Sequence, residues 1–389
     1  MSSGPVTLTA EEAAPQGLAD GAAGVALLHI ERALTGSGQW SEAHTRVRQV
    51  AAGPVDAGAH TGLYYGAPAV AFVLHAAATG GHPAYRAAAD TLDEHVLRVT
   101  RRRLAEAADR MEHGRAAAFD EYDLFRGLAG IGALLLRRAP GSDTLGDVLR
   151  YVVRLVQPRH EDGRELPGWW AGHDPDPIRP TSGGHGNLGM AHGAAGLLAL
   201  LALATSHGCA VEGQKEAIER LLSWFDGWQQ DSADGPWWPE WVTREDLRTG
   251  RPTQEVPGRP SWCYGALGIG RAQQLAAIAT GDSTRRAAAE KTIVAALSAR
   301  QLHRITDAGL CHGMAGVYQT AYRAAADAAD PAIGQRLPAA ATALTRHAAA
   351  ATGGQAGLLT GDAGVDLALE TTRCTTPPRS GWDACLLIT

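Results

Sequence analysis

Residues 310–316 read Leu-Cys-His-Gly-Met-Ala-Gly, and residues 262–268 read Trp-Cys-Tyr-Gly-Ala-Leu-Gly. Both stretches contain Gly-x-x-Gly, and in both a cysteine stands two positions ahead of the first glycine. The same motif, or a near relative of it, opens seven apolar runs along the chain, and the second copy has lost its second glycine. Self-similarity of this kind is the signature of a repeat architecture. The first glycines lie 45 to 72 residues apart and are Gly21, Gly66, Gly127, Gly193, Gly265, Gly313 and Gly361.

Two kinds of helix are predicted to alternate along the chain. The runs that follow the glycines, such as Ile131–Leu136 and Ala194–Ala204, have almost no polar face, which is typical of buried helices. The segments between the runs are amphipathic and charged, and no segment shows a convincing strand alternation. The clearest amphipathic segments are Ala84–Arg103, Leu145–Val156, Gly213–Trp228, Thr284–Gln301 and Ile333–Ala350.

We therefore predict an all-α fold that occupies residues 1–389 as a single domain. Seven buried helices would form an inner ring, and each would be preceded by one of seven antiparallel outer helices. This arrangement is an α,α-toroid. Because the inner helices are parallel, their N-termini meet at one end, where their partial positive charges suit an anion or a thiolate.

Two long interruptions of the repeat are expected to cover that same end. Residues 158–186 and 229–261 are rich in Gly, Pro, Asp and Trp, and each directly precedes an inner helix. Structureless loops of this length are unusual unless they are functional. Their tryptophans either form an aromatic rim over the end of the toroid or anchor the loops to the scaffold. These residues are Trp169, Trp170, Trp237, Trp238 and Trp241.

The overall composition excludes several classes of protein. The chain has 389 residues, a formal net charge of −6 and 45% hydrophobic residues, so it lacks the basic footprint of a nucleic-acid-binding protein. No apolar run approaches the roughly 20 residues that span a bilayer. Five cysteines without an even framework argue against a disulfide scaffold, so we expect a reducing, cytoplasmic setting.

Three potential soft-metal ligands stand at the entrances of two inner helices. Two thiolates and one imidazole, from Cys263, Cys311 and His312, leave a fourth tetrahedral position for water or substrate, which is the pattern of catalytic zinc. No Cys-x-x-Cys occurs, so this interpretation depends on the shared register; otherwise the cysteines are small buried hydrophobes. We expect that second role for the three off-register cysteines, Cys209, Cys374 and Cys385.

Other candidate residues share the same register. His192 is either a fourth ligand, a structural histidine, or an acid/base beside the metal, because its pKa ordinarily lies near neutrality. Asp123 either orients His192 or the substrate, or caps the following helix. Arg259 either holds a carbonyl or developing enolate or is a solvated loop charge, and Tyr264 directly precedes the glycine of its own copy.

Taken together, these motifs resemble the signature set of the LanC family, the lanthionine synthetase C-like cyclases. The motifs are Gly-Met-Ala-His192-Gly, Arg259-Pro-Ser-Trp-Cys263-Tyr-Gly and Cys311-His312-Gly, and the repeat covers residues 17 to 371. The resemblance implies an α,α-toroid with one Zn²⁺ bound by Cys263, Cys311 and His312. It also implies that His192 and Asp123 are catalytic and that Arg259 and Tyr264 line the site.

The implied activity is the addition of a peptide cysteine thiol to dehydroalanine or dehydrobutyrine, which gives lanthionine or methyllanthionine rings. The implied partners are a dehydrated precursor peptide with its leader, and candidate partners beyond it are a dehydratase and an exporter. Alternatives are glutathione-type thiol addition to other dehydroamino acids and a non-catalytic scaffold that escorts a peptide. A glycan-processing α,α-barrel ranks last, because that chemistry uses paired carboxylates and only Asp123 is on register.

The chain departs from the family in one respect. Some bacterial members carry an inserted SH2-like domain after an early repeat. Here the interval from Gly66 to Gly127 exceeds the short spacing by only about a dozen residues, enough for a helical extension over Arg98–Arg115. We therefore expect no full inserted domain, and leader recognition has no obvious element. The chain also lacks a dehydratase or kinase region and resembles a stand-alone cyclase.

Overall fold

The computed structural model describes residues 6–176, 178–351 and 355–389, and this part of the chain is mostly helical. The first eight α-helices are α1 (Ala10–Ala13), α2 (Ala22–Thr35), α3 (Trp40–Val50), α4 (Ala67–Ala78), α5 (Pro83–Glu112), α6 (Phe119–Tyr122), α7 (Leu128–Arg138) and α8 (Asp143–Leu155). The remaining nine are α9 (Ala194–Ser206), α10 (Gln214–Trp228), α11 (Arg244–Thr249), α12 (Ala266–Thr280), α13 (Ser283–Ala296), α14 (Ala299–Leu302), α15 (Met314–Ala326), α16 (Leu337–Ala350) and α17 (Asp362–Cys374). None of these helices combines the length and the apolar character that a bilayer crossing needs.

Seven helices begin directly after the first glycine of a repeat copy, as the sequence predicted. They are α2, α4, α7, α9, α12, α15 and α17. Each of them contacts the next in this order, and α17 contacts α2, so the contacts close into a ring. The most apolar of them, α9, is fully buried from Ala194 to Ala204, because a helix without a polar face is stable only when it is surrounded by protein.

The second glycine of each motif is explained by a close backbone approach. A Cβ at this position would overlap the carbonyl oxygen of the residue six positions earlier in six of the copies. Each helix therefore packs its first turn directly against the segment that leads into it. The glycines concerned are Gly24, Gly130, Gly196, Gly268, Gly316 and Gly364.

The segments that lead into the seven helices form a closed belt of backbone hydrogen bonds. Each segment donates an N–H to a carbonyl of a neighbouring segment, at 2.8 to 3.2 Å. The residues two positions before the glycines, which we call position −2, lie on this belt. In belt order these residues are Ala19, Tyr64, Phe125, Ala191, Cys263, Cys311 and Leu359. The repeat register therefore fixes which side chains become neighbours.

Six further helices, each of at least 11 residues, alternate along the chain with the seven that follow the glycines. They are α3, α5, α8, α10, α13 and α16. Each contacts the helix that precedes it in the chain, and the five amphipathic segments predicted from the sequence are among them. An outer helix was also predicted ahead of α2. This prediction is wrong for the described residues, because only the four-residue α1 and a 3-10 turn at Ala14–Gln16 precede α2 there. Between α4 and α7 the chain forms the 30-residue α5 and the short α6.

The two long loops contain strands that the sequence analysis did not predict. The strands are β1 (Arg159–Glu161), β2 (Arg164–Leu166), β3 (His185–Asn187), β4 (Gln230–Ser232), β5 (Gly235–Trp237) and β6 (Trp241–Thr243). They pair antiparallel as β1–β2, β3–β6 and β4–β5. Three residues are too few to show an alternating pattern, and the β3–β6 pair ties one loop to the other.

Most of the loop tryptophans anchor the loops. Trp169, Trp170, Trp237 and Trp238 are all buried. The indole N–H of Trp170 donates to the carbonyl of Gly183, and that of Trp238 donates to the carbonyl of Phe225. The alternative of an aromatic rim is therefore wrong for these four residues. Of the five tryptophans, Trp241 alone is half-buried, and its ring packs against Tyr264.

The C-terminal tail closes the core of the ring. The 3-10 helix Trp382–Leu386 and the residues after it are almost fully buried. Buried Asp383 pairs with Arg323 of α15 at 2.6 Å, and the carbonyl of Leu386 accepts the indole N–H of Trp262 at 3.0 Å. Among the off-register cysteines, Cys385 is buried in this tail as predicted, whereas Cys209 and Cys374 are only partly buried.

Candidate functional site

The candidate metal site lies where two neighbouring segments of the belt meet. The backbone N–H of Cys263 donates to the carbonyl of Cys311 at 3.2 Å, which aligns position −2 of the two copies. As a result the ligand atoms of Cys263, Cys311 and His312 all lie within 4.8 Å of one another. Cys263 is buried, and the other two are partly exposed, so the cluster can hold a metal ion that remains accessible from one side.

The sulfur of Cys263 is the thiolate centre of this cluster. Contacts with the Cys311 thiol, the His312 ring and the Ser261 hydroxyl hold the pKa of Cys263 well below its usual range, against the effect of burial. The contact with Cys263, together with burial, raises the pKa of Cys311, and the same sulfur raises the pKa of His312. These contacts favour the thiolate form of Cys263, and a thiolate in turn favours a cation at the centre of the site.

Two charged side chains border the cluster. The carboxylate of Asp307 lies 3.7 Å from Nε2 of His312 and 3.8 Å from a guanidinium nitrogen of Arg259. Both charged groups are partly exposed, so neither is locked by burial. Arg259 thus lies at the open side of the cluster, close to the ligands and not in a remote solvated loop.

His192 and Asp123 form a hydrogen-bonded pair on the adjoining segments. Nδ1 of His192 lies 2.7 Å from Oδ2 of Asp123, and the carboxyl is almost fully buried. The other oxygen of Asp123 accepts the backbone N–H groups of Arg126 and Gly127, both at 2.8 Å. Asp123 therefore holds the turn that leads into α7 and orients His192 at once, whereas α7 itself has no side-chain cap.

Aromatic rings fix the plane of the His192 imidazole. Phe119 stacks on it with centroids 4.8 Å apart and 19° between the planes, and Phe125 approaches edge-on at 4.8 Å. The carboxylate therefore binds Nδ1 and the rings cover the faces of the imidazole, so Nε2 remains as its reactive nitrogen.

Tyr264 lies between the His192 pair and the metal cluster. Its ring centroid is 6.4 Å from that of His192, and its neighbour in the chain is Cys263. The hydroxyl accepts a hydrogen bond from the Asn187 amide at 3.0 Å. Burial raises the pKa of Tyr264 well above its ordinary value, so the phenol remains protonated and can donate. The sequence-predicted residues are thus gathered on neighbouring segments.

Several residues of this region were not identified from the sequence. The hydroxyl of Ser261 lies 3.6 Å from the sulfur of Cys263. Ser261 stands four positions before the first glycine of its copy, as the candidate Asp123 does in its own copy. Phe125 shares position −2 with the two cysteines. Register alone could have found Ser261 and Phe125. Phe119 and Asn187 come from α6 and β3, where no repeat signal exists.

Buried His185 was assigned no role from the sequence. Its Nδ1 contacts the carbonyl of His173 at 3.0 Å, and its Nε2 has no partner among the described residues. Burial lowers the pKa of His185 to about 4, so the ring is neutral under ordinary conditions. Its ring packs edge-on against Phe119, the residue that stacks on His192.

Comparison with known proteins gives a consistent family. The model of the lanthionine synthetase C-like protein family matches residues 12–387. The nisin biosynthesis protein NisC of Lactococcus lactis subsp. lactis is 26% identical over 134 residues, which are 34% of this chain and 32% of that protein. The aligned part therefore spans about a third of this curated relative.

The fold has a solved counterpart. A structure of nisin cyclase matches with a TM-score of 0.80 and 18% identity, covering 96% of this chain and 92% of that chain. At this identity the likeness shows the fold alone. The family match, however, extends over nearly the whole chain and agrees with the resemblance seen in the sequence. The chain therefore belongs to the lanthionine synthetase C-like protein family.

Proposed function

We propose that this protein is a zinc-dependent lanthipeptide cyclase, which adds cysteine thiols of a dehydrated peptide to dehydroalanine or dehydrobutyrine and so forms thioether rings. The observation that carries the proposal is the convergence of a Cys-Cys-His cluster and a His–Asp pair on neighbouring segments of one belt. For the architecture we propose an α,α-toroid, which the closed contact order of the seven buried helices supports. The setting we propose is the cytoplasm, where the free cysteines would stay reduced.

The donor set fits zinc. Tetrahedral Zn²⁺ with Zn–S bonds of about 2.3 Å needs ligand atoms about 3.8 Å apart, and the three ligand atoms lie within 4.8 Å of one another. Two sulfurs and one imidazole nitrogen are the soft ligands that zinc accepts, and they leave one position free. When bound, the ion would keep a substrate thiol deprotonated near neutral pH.

The proton has a defined acceptor in this chain. Because Asp123 accepts from Nδ1 of His192, the neutral ring carries its lone pair on Nε2. Nε2 accepts the proton of the substrate thiol, and the sulfur then attacks the β-carbon of the dehydro residue. The double bond shifts, an enolate develops, and Nε2 returns the proton to the α-carbon. The buried carboxylate stabilises the imidazolium between these two steps.

Two further groups are suited to the developing negative charge. The guanidinium of Arg259 borders the cluster at its open side and can stabilise the enolate oxygen. The protonated hydroxyl of Tyr264 lies between His192 and Cys263 and can donate a second hydrogen bond. We propose these four residues, His192, Asp123, Arg259 and Tyr264, as the catalytic set.

The test is cyclisation of a synthetic peptide that contains one dehydroalanine and one cysteine. Ring closure does not change the mass, so the remaining thiol is alkylated and the mass is then measured. We expect the wild-type protein to protect the thiol and Cys311→Ala to lose both zinc and protection. Addition of glutathione in place of ring closure would favour the glutathione-type alternative. Peptide binding without protection would favour the escort scaffold.

A further inference from the structure

A cavity of about 410 Å³ adjoins the candidate metal site. Its wall at Gly258 leads directly into Arg259, and its wall at Trp241 packs edge-on against Tyr264, with ring centroids 6.4 Å apart. Both long loops contribute to it, through Arg179 on one side and residues 240–258 on the other. The cavity therefore opens beside the reacting groups and is not a remote feature of the surface.

Two exposed apolar side chains lie at this cavity or next to it in the chain. Among the described residues the exposed large hydrophobic side chains are Ile178 and Val256, which are 84% and 67% exposed. Val256 lines the cavity, and Ile178 is the chain neighbour of Arg179, which also lines it. The apolar surface of these two side chains is therefore available to a peptide that enters the cavity.

The cavity contains an acid beside an aromatic face. Glu240 is about a quarter exposed, and burial raises the pKa of its carboxyl, an effect that the Arg179 guanidinium opposes. A guanidinium nitrogen of Arg179 lies 3.3 Å from Glu240, and the same group lies 5.6 Å from the centroid of the Trp241 ring. Arg179 itself is 62% exposed, and an ion pair to such a side chain is weak.

We propose that this cavity is a substrate subsite that takes the lysine or arginine side chain of a peptide residue close to the reacting residue. The inference rests on the proposed function and adds a sequence preference to it. Arg179 holds the place that the substrate cation takes, between the carboxylate of Glu240 and the face of Trp241. An acidic side chain would be repelled by Glu240, and an apolar one would desolvate this carboxylate further while adding no charge partner to the weak one that Arg179 provides.

The subsite is tested first by binding, with peptides that cannot react. A short peptide with alanine in place of dehydroalanine and with one cysteine is made with lysine, norleucine or glutamate at each position around the cysteine. Affinities are measured by calorimetry on the zinc-loaded protein. At one position we expect lysine to bind about tenfold more tightly than norleucine, because its ammonium group pairs with the partly buried carboxylate of Glu240 and also lies over the Trp241 ring. Equal affinity at every position, or a preference for glutamate, would overturn the proposal.

Variants then locate the preference. In Glu240→Gln the lysine-to-norleucine ratio should fall to about twofold or less, because the carboxylate supplies most of the discrimination. In Arg179→Ala the ratio should rise, because the competing cation is gone. Glu245→Gln is the matched control, since Glu245 lies on the same loop, is exposed and pairs with Arg248 outside the cavity. A ratio in Glu240→Gln that equals the wild-type ratio would contradict the assignment.

The reactive form of the same peptides separates this inference from the proposed function. Ring closure of the lysine and norleucine peptides at equal kcat/KM would retain the cyclase and remove the subsite. No ring closure of any peptide, together with the expected binding ratio, would remove the cyclase and retain a cation-selective peptide site.

Discussion

Replacement of Asp123 by asparagine tests the proton path without disturbing the fold. In the wild-type protein the carboxylate accepts Nδ1–H of His192 and the backbone N–H groups of Arg126 and Gly127, just before α7. In Asp123→Asn the amide oxygen can keep both backbone contacts, and asparagine caps a helix as well as aspartate does. The amide NH2 then faces Nδ1 and donates to it, so the proton of the imidazole moves to Nε2. The nitrogen that must accept the thiol proton is therefore blocked.

The size of the effect follows from this hydrogen bond. In the variant the active tautomer would set two N–H groups against each other, and compared with the wild type it would lose the hydrogen bond to the carboxylate, which together costs about 3 kcal/mol. That energy corresponds to a fall of about a hundredfold in kcat. The free energy of unfolding should change by less than about 1 kcal/mol, and the zinc content should not change.

The assay is the thiol-protection measurement on a dehydropeptide, with initial rates over a range of substrate concentrations. Asp120→Asn is the matched control, because Asp120 lies three residues away, is mainly exposed and lies 4.0 Å from Arg126. A loss of less than about fivefold in Asp123→Asn, with zinc and stability intact, would refute the assigned role of the pair.

The other predictions concern His192, Asp307 and His185. His192→Ala should keep its zinc and lose about 10²- to 10⁴-fold in cyclisation rate, and loss of the metal would instead identify His192 as a fourth ligand. Asp307→Asn should weaken zinc affinity about tenfold or more in a chelator competition, because a carboxylate beside a ligating histidine orients it, and an unchanged affinity would argue against that contact. His185 takes up a proton below about pH 6.5 in the unfolded protein, but only near pH 4 in the folded protein. The free energy of unfolding should therefore fall by about 3 kcal/mol as the pH drops from about 6.5 to about 4. Chemical denaturation of the wild type and His185→Gln should show a flatter pH profile in the variant, and identical profiles would contradict the low pKa.

The repeat register carried most of what the sequence could predict. Glycine pairs at six helix starts, and a single glycine at the seventh, predicted the buried helices, because the pair reports a backbone contact that only glycine permits. The same register indicated that Cys263 and Cys311 would be neighbours, since equivalent residues of adjacent copies meet on the belt. The meeting of Asp123 and His192 has the same origin, at the belt contact in which the backbone N–H of Leu124 donates to the carbonyl of Ala191.

Elements outside the repeat were not predictable in this way. The strands β1–β6 are three residues long, and a segment of that length carries no periodic signal. An outer helix was predicted before α4, but the bounds of α3 were not, because its eleven residues follow Gly36 and Gly38 and bury only three side chains. Phe119 and His185 reach the site through loop tertiary contacts, which local patterns do not encode. The C-terminal tail fills the ring through side-chain contacts with helices distant in sequence.

Metal content tests the central claim most directly. We would determine zinc by elemental analysis of the purified protein, without chelator, in the wild type, Cys263→Ala and the off-register control Cys209→Ala. We expect about one zinc ion per chain in the wild type and the control, and its loss in Cys263→Ala. A well-folded wild type without zinc would contradict the thiolate mechanism and leave the peptide-escort scaffold as the better explanation.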